Sequence, residues 1–329
     1  MATINAWVLS GFDDPVCSPT CWNDLLLKSG TNVVSLTHQW LRAWWETLGE
    51  GVLLLVASER GGELLTLAPL YATEGMVFFL GAGEADRHDF IGRTDDPDVL
   101  SAILTAAQQH CPDFLGFRLD CVPDRSTTGD CLRDAAARIG MVSLDEGELP
   151  TLEVDLVERP DVIREAVSRS MLNRENYCRR HGELRIQHLR DLPAIRPHLE
   201  EYYAQHLARW AAKGLPSEYG RPQIRAFLER FLELAEETGW IRFVRIDWKG
   251  RPFAFEFAWY YRGTHYSAPW CFAVEFANQS PGYVLLRHSM LAALNEGLET
   301  YDLGAGDHEW KRRLPVRMHM CHTWGIYPA

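Results

Sequence analysis

The chain has 329 residues, enough for about two domains. Its 47% hydrophobic and 24% charged residues match a folded globular protein and exclude disorder, collagen-like repeats and a coiled coil. Asp and Glu outnumber Lys and Arg by 45 to 33, for a formal net charge of -12. General DNA binding, which needs a basic surface, is excluded too, although a local basic groove stays open.

The opening stretch MATINAWVLSGFDD has neither a basic n-region nor a long apolar h-region, so no secretory signal is expected. The aliphatic run at 52–57 falls far short of the roughly 20 residues that span a bilayer. Eight cysteines (Cys17, Cys21, Cys111, Cys121, Cys131, Cys178, Cys271 and Cys321) are scattered without a CxxC pair. That usage points to reduced thiols and a cytoplasmic location.

Helical spacing begins after Ser35, with Trp40, Leu41, Trp44, Trp45 and Leu48 on one face. Trp40 and Trp44, one turn apart, read first as a core stripe. Glycine-punctuated apolar runs follow, GVLLLVASERGG, ELLTLAPLY and GMVFFLGAG, the pattern of antiparallel strands joined by tight turns. A helix over 98–110, a strand at DFLGFRLD and a helix over 128–139 complete the half. A polar turn at 145–150 sets the expected boundary, giving domains 1–150 and 151–329.

The second half predicts helices over 160–180, 193–213 and 222–238, then strands at WIRFVRIDWKG, RPFAFEFAWYYRG and THYSAPWCFAVEF. A helix over 281–295 ends before Gly297. The strands ETYDLGAG and MHMCHTWGIY close the chain. Both halves run helix, strands, helix, strand. The expected fold class is therefore α/β (α+β), a duplicated unit.

Four segments carry candidate chemistry. In ANQSPGYVLLRHSMLAALNEG, Ser280 is an expected N-cap with Pro281 at the first helical position, and Gly282 would let a ligand approach the backbone. Such a helix start suits a phosphate or pyrophosphate, though a merely well-capped helix is the plainer reading. In TYDLGAGDHEWKRRL, Asp302, Asp307, His308 and Glu309 precede Lys311 to Arg313. They can hold a general base beside a charge stabiliser, or form a solvated turn followed by a basic helix start. Arginines at 164, 169, 174, 179, 185 and 190 lie mostly five apart. At 3.6 residues per turn they wind around a helix, so Glu165–Arg169 and Glu175–Arg179 read as surface pairs. Asp86, His88 and Asp89, in GAGEADRHDFIG, line a cleft between the halves or serve as turn-formers.

GxSxG, Walker-type and HExxH motifs are absent. His319 and Cys321 share a strand face from which His322 points away, and Cys17 and Cys21 lack further ligands at metal spacing, so no metal is expected.

In order, these features resemble the GNAT acyltransferase superfamily, specifically its two-domain CelD-like (cellulose-biosynthesis type) acetyltransferases, which are similar to Fem-type aminoacyltransferases. THQWLRAWWETLG, LAPLY, DRHDFIG and SRSMLNRENYCRRHGELRI are collinear with that family. SPGYVLLRHSMLAALNEGLETYDLGAGDHEWKRRL resembles its closing signature, an SPG turn, a helix, a D-[FL]-x-x-G strand end and an aromatic-Lys pair. The resemblance implies two tandem GNAT-like domains, each a mixed, mostly antiparallel sheet flanked by helices, with the donor site in the second. It implies Lys311, preceded by Trp310, as a stabiliser of transition-state charge, Asp302 as the strand-end aspartate and Asp86 as the first-domain cleft aspartate. The catalytic candidates are thus Lys311, Asp302, Asp307 and His308. Those for the donor are Gln279, Ser280, Gly282 and Tyr283, and those for the acceptor Asp86, His88, Asp89, Trp310 and Glu256. Against the GNAT loop pattern [Q/R]xxGx[G/A], Gln279 and Gly282 fit, Val284 replaces the last small residue, and Pro281 lacks an N–H.

The leading expectation is an acyl-CoA-dependent N- or O-acyltransferase, with acetyl-CoA as one donor, acting on a small molecule or a glycan or peptide precursor. A Fem-like enzyme using aminoacyl-tRNA is the alternative. The net charge argues against tRNA, whereas segment 164–190 offers a local patch. A non-catalytic GNAT pair that binds sugar or peptide is the third reading.

Overall fold

In the computed structural model, which describes residues 3–158 and 160–329 without the side chains at 162, 165, 166 and 168–170, two units separate. Unit 1 comprises Met1–Thr151 with His319–Ala329, and unit 2 comprises Leu152–Met318.

Unit 1 starts with β1 (Ile4–Val8), α1 (Pro19–Leu26) and α2 (His38–Leu48). Hydroxyl caps begin both helices: Ser18 Oγ accepts from Cys21 N–H, and Thr37 Oγ1 accepts from Trp40 N–H. Then come β2 (Val52–Arg60), β3 (Glu63–Thr73), β4 (Met76–Phe79), the short β5 (Ile91–Gly92), α3 (Pro97–His110), β6 (Gly116–Pro123), α4 (Thr128–Arg138) and β7 (Met141–Asp155). The core under α3 and α4 includes Leu54, Val56, Phe79, Ile103, Leu104 and Phe117.

Unit 2 contains α5 (Pro160–His181), β8 (Leu184–Leu189), α6 (Leu192–Ile195), α7 (Leu199–Ala211), α8 (Pro222–Leu234), β9 (Ile241–Trp248), β10 (Arg251–Tyr261), β11 (Thr264–Phe272), α9 (Pro281–Asn295) and β12 (Thr300–Ala305). The last strand is β13 (Val316–Pro328). One core cluster gathers Leu152, Met171, Met290 and Tyr301, and a second gathers Cys178, Ile246, Phe253 and Val284. No helix among the described residues is long and apolar enough to cross a membrane.

Strands in unit 1 follow the order β1-β2-β3-β4-β6-β13-β7, and in unit 2 β7-β12-β11-β10-β9-β8. Most neighbours are antiparallel. Among the described pairings, the strands joined by the two crossovers, β4-α3-β6 and β11-α9-β12, pair in parallel. Each unit thus has one parallel pair bridged by a helix, the physical form of the duplication.

Several details depart from the sequence reading. Residues 319–329 join unit 1, not the second half, because β13 pairs antiparallel with β6, Cys321 opposite Pro123 and Ile326 opposite Phe117. The polar turn expected at 145–150 is the middle of β7. Its polar side chains lie on exposed strand and find partners there: Asp145 pairs with His322 at 2.9 Å, and Glu146 faces Arg118 at 3.3 Å. Exposed strand and turn share a composition, which is why the sequence misleads here. The helix expected over 193–213 divides into α6, a 3-10 turn at Arg196–His198 and α7, since Pro197 has no N–H to continue a helix. Instead of a basic helix start, Lys311–Arg313 is a single 3-10 turn. Of the two pairs expected on α5, Glu165–Arg169 falls on side chains outside those described. Glu175–Arg179 forms at 2.7 Å.

Candidate active site

Past Arg251 at its start, strand β10 carries one charged residue, Glu256 near its middle, opposite Val244 of β9 and Trp270 of β11. A register shift between Glu256 and Ala258 bends the ladder at this point. Glu256 is buried, and burial pushes its carboxyl up to about 7, against the opposing pull of the Ser289, Tyr301 and Ser267 hydroxyls. Tyr301 donates its hydroxyl towards Glu256 Oε1 at 3.3 Å and Ser289 Oγ at 3.0 Å. Ser289 Oγ also meets His265 Nε2 at 2.9 Å, and the His265 and Tyr301 rings stack at 3.9 Å. Burial lowers His265 to about 3, so its imidazole is neutral. Glu256 Oε2 has no hydrogen-bond partner among the described residues.

The parallel ladder between β11 and β12 covers Thr264, His265 and Tyr266 opposite Thr300, Tyr301 and Asp302. Beyond it β11 runs on to Phe272 and β12 to Ala305 unpaired with each other, so the strands part. A cavity of about 300 Å³ lies here, reaching from the first turn of α9 to Glu256. Trp270, Phe272, Leu285, Leu286, Leu303 and Trp310 give it carbon walls, while Glu256, Ser267, Ser280, Tyr283 and Tyr301 supply its polar groups.

Ser280 holds the expected N-cap position of α9 but does not cap with its side chain. It sits in the left-handed region at φ 57° and its side chain makes no cap bond. With Pro281 lacking an N–H and the Tyr283 N–H donated to Ser280 O at 3.1 Å, this helix start offers fewer donors than usual. Gly282 is required by packing: a Cβ there would stand 2.7 Å from the Trp270 ring. Arg209 of α7 fixes that ring from another side, its guanidinium 4.3 Å from the Trp270 centroid and its Nη1 donating to Trp270 O at 2.7 Å. Trp310 meets Trp270 edge-on at 5.7 Å.

Helix α9 is anchored to α5 by one buried carboxylate. Glu175 receives Arg287 at 2.6 Å, Arg179 at 2.7 Å and His288 at 3.1 Å. The charge-assisted bonds from Arg179, together with His288 and Arg287, hold it below the usual carboxylate range despite burial.

Of the residues singled out in the sequence, Glu256, Ser280, Gly282, Tyr283 and Trp310 line this cavity. Gln279 precedes its rim with Oε1 buried and unpartnered. Lys311, Asp302, Asp307 and His308 do not line it. Lys311 is buried and donates Nζ to Gly304 O at 3.0 Å and Ala305 O at 2.6 Å, holding the end of β12. Asp302 Oδ1 accepts from Gly304 N–H at 2.7 Å in the same turn. Asp307 is paired with Arg312, which lowers its pKa, and His308 is exposed.

The other candidates belong to unit 1. Both Asp89 oxygens are occupied, by Thr31, Ser126, Thr128 and the Phe90 N–H, so this buried carboxylate ties segments of unit 1 together. His88 is buried, with Nδ1 3.2 Å from Asp120 O, and the ligand atoms of His88, Asp120 and Cys121 lie within 4.8 Å of one another. Asp86 is exposed. The unit's own crossover helix, α3, has its N-terminus filled by Asp96, which accepts from Asp98 N–H and pairs with Arg60 at 2.9 Å.

Sequence reasoning missed Trp270, Tyr301, Ser289, His265 and Arg209. One available signal was a histidine and a glutamate on neighbouring strands.

Residues 166–312 match the acetyltransferase (GNAT) domain family model. No curated protein sequence matches. Among solved structures, the crystal structure of FemX is similar with a TM-score of 0.70 at 12% identity, over 95% of this chain and 96% of that one. A tandem GNAT protein from the clavulanic acid biosynthesis pathway is similar with a TM-score of 0.56 at 12% identity, over 99% of both chains. L-PGS from Bacillus licheniformis gives a TM-score of 0.56 at 13% identity, over 94% of this chain and 91% of that one. At these identities the likenesses establish the fold, a pair of tandem GNAT units.

Proposed function

We propose that this chain is an N-acyltransferase of the GNAT superfamily that moves an acyl group from acyl-CoA to an amine, with Glu256 as the general base; the acetyltransferase (GNAT) family model over residues 166–312 supports the reading. The observation that carries the reading is a single buried carboxylate, raised to about 7, facing a cavity that reaches the start of α9. A base poised near neutrality is matched to drawing a proton from an ammonium acceptor.

The amine nitrogen then attacks the thioester carbonyl carbon. A C–N bond forms, the C–S bond breaks, and the thiolate leaves and is protonated, while the acceptor's proton passes by way of Glu256 to solvent. Tyr301 and Ser289 orient the carboxylate and leave Oε2 for the acceptor. Beyond Tyr266 the β11 backbone has no ladder partner on its β12 side, which suits it to the amide groups of a pantetheine arm. Arg313, bonded to the Tyr283 hydroxyl, adds positive charge beside the first turn of α9 for the donor's phosphates.

Lys311 enters this reading as a positioning residue, holding the β12 end and the adjacent Trp310. The tests are thermal-shift titrations with CoA thioesters and adenosine 3′,5′-bisphosphate, then CoA release with a panel of amines. At a hundredfold excess over Kd, binding adds about 2.7 kcal/mol of stability. Failure of every CoA compound to bind would point to the aminoacyl-tRNA donor.

A further inference from the structure

Resting on Glu256 as the base, we propose that His265 is a positioning residue for it. Its Nε2–H holds the Ser289 oxygen, so that the Ser289 hydroxyl proton is turned onto the Glu256 carboxylate.

The proton count follows from which ring nitrogen has a partner. His265 is fully buried on β11, and burial keeps its imidazole neutral, so the ring carries one N–H. Nδ1 has no hydrogen-bond partner among the described residues, whereas Nε2 lies 2.9 Å from Ser289 Oγ. A proton on Nδ1 would be a buried N–H without an acceptor, an arrangement folded chains avoid. The proton therefore sits on Nε2 and is donated to Ser289. Tyr301 donates towards the same oxygen at 3.0 Å and towards Glu256 Oε1 at 3.3 Å. With its lone pairs so addressed, Ser289 has its own proton left to give, and the carboxylate is the acceptor in reach.

The imidazole is held in this orientation by both neighbouring strands. Tyr301 stands opposite it on β12, with the rings 3.9 Å apart and 13° from parallel. Tyr260 stands opposite it on β10, with the rings 5.2 Å apart. Burial raises both phenols, so neither brings a charge. Ser267 of β11 adds a further hydroxyl to the carboxylate. The charged group whose field reaches His265 is Arg242 of β9, itself paired with Glu296 at 2.9 Å, and it too favours the neutral ring. Glu256 serves as a base only once ionised. Without the Ser289 proton it would ionise at a still higher pH and stand ready less often at neutrality.

The experiment is an infrared titration of the full chain, following the carboxylic acid C=O band that Glu256→Gln removes; it needs neither donor nor acceptor. It is repeated on His265→Phe, which keeps a ring against Tyr301 but has no N–H, on His265→Gln, whose amide restores a donor, on Ser289→Ala, and on His265→Phe combined with Ser289→Ala. The band is expected to titrate roughly one pH unit higher in His265→Phe and in Ser289→Ala, a tenfold change in the ionisation constant, and no higher in the double variant. His265→Gln is expected to return it most of the way. A downward shift in His265→Phe would mean that Ser289 gives its proton to the imidazole, and would overturn the proposal. An unmoved band in Ser289→Ala, or shifts that add in the double variant, would overturn it as well, the first even if His265→Phe fails to fold. The base reading is tested apart, by kcat/KM against pH: an acidic limb that stays in place where the band moves would remove Glu256 as the base, and the part of His265 in catalysis with it.

Discussion

Tyr301 reaches across from β12 to place its hydroxyl 3.3 Å from Glu256 Oε1, while its ring stacks on His265 at 3.9 Å. The carboxylate thereby has one oxygen held and one without a hydrogen-bond partner among the described residues. Neither group is exposed, so water does little to screen the arrangement.

Glu256→Gln keeps the shape and removes the base. We expect kcat to fall by about 10²–10⁴, the usual worth of general base catalysis, with the folded state retained. Turnover under saturating thioester, alongside a thermal melt, checks this; undiminished turnover would remove Glu256 from the chemistry.

The raised carboxyl also sets a pH dependence. Activity needs Glu256 ionised, so kcat/KM should fall about tenfold per unit below pH 7 and level off above it. Stability should move the other way. Glu256 binds its proton more tightly folded, at about 7, than at its ordinary 4.5, so its contribution is complete below pH 4.5 and lost as the pH rises through 7. His265, held near 3 against its ordinary 6.5, contributes the opposite slope, present above 6.5 and lost as the pH falls. Comparing wild type with Glu256→Gln in urea melts from pH 4 to 8 isolates the first effect; identical slopes would refute it.

Gly282→Ala drives a methyl to within 2.7 Å of the Trp270 ring. With that ring clamped by Arg209, relief must come from α9, so we expect about 1–3 kcal/mol of destabilisation and a raised KM for the thioester. An unaltered KM would show that this contact does not shape the donor pocket.

Glu175→Ala leaves Arg287, itself only 14% exposed, without its carboxylate. Removing one partner of a buried pair costs about 3–5 kcal/mol. Arg179 is half exposed, so the lower end is expected. Denaturant unfolding reads this, with an accompanying loss of activity as α9 loosens; a loss under about 1 kcal/mol would mean that the anchor is dispensable.

Lys311→Ala strips two carbonyls of their donor. Losing these two bonds should lower stability by about 1–3 kcal/mol and reduce turnover through Trp310. A fall in kcat with unchanged stability would instead place the ammonium at the reacting atoms.

Much of the second unit was legible in the chain. The crossover helix over 281–295 follows from its Pro281 start and apolar spacing, and Glu256 stands out as the one acidic residue in RPFAFEFAWYY. What was not legible arises from distance in sequence. Tyr301 and Glu256 are 45 residues apart, and no local pattern says that their strands bring them together. Lys311 misled for a different reason. A lysine beside two arginines reads as solvated, yet the end of β12 turns its carbonyls inward and draws the ammonium into the interior. Ser280 has the residue type of a cap but a left-handed backbone, a conformation that sequence preference alone does not reveal.

Hydrogen exchange with and without a CoA thioester tests the donor site most directly, because it needs no acceptor. The expected result is slowed exchange across residues 267–272, 277–286 and 301–303, with unit 1 unchanged. Protection confined to unit 1, or none in the first turn of α9, would contradict a donor seated between the parted strands.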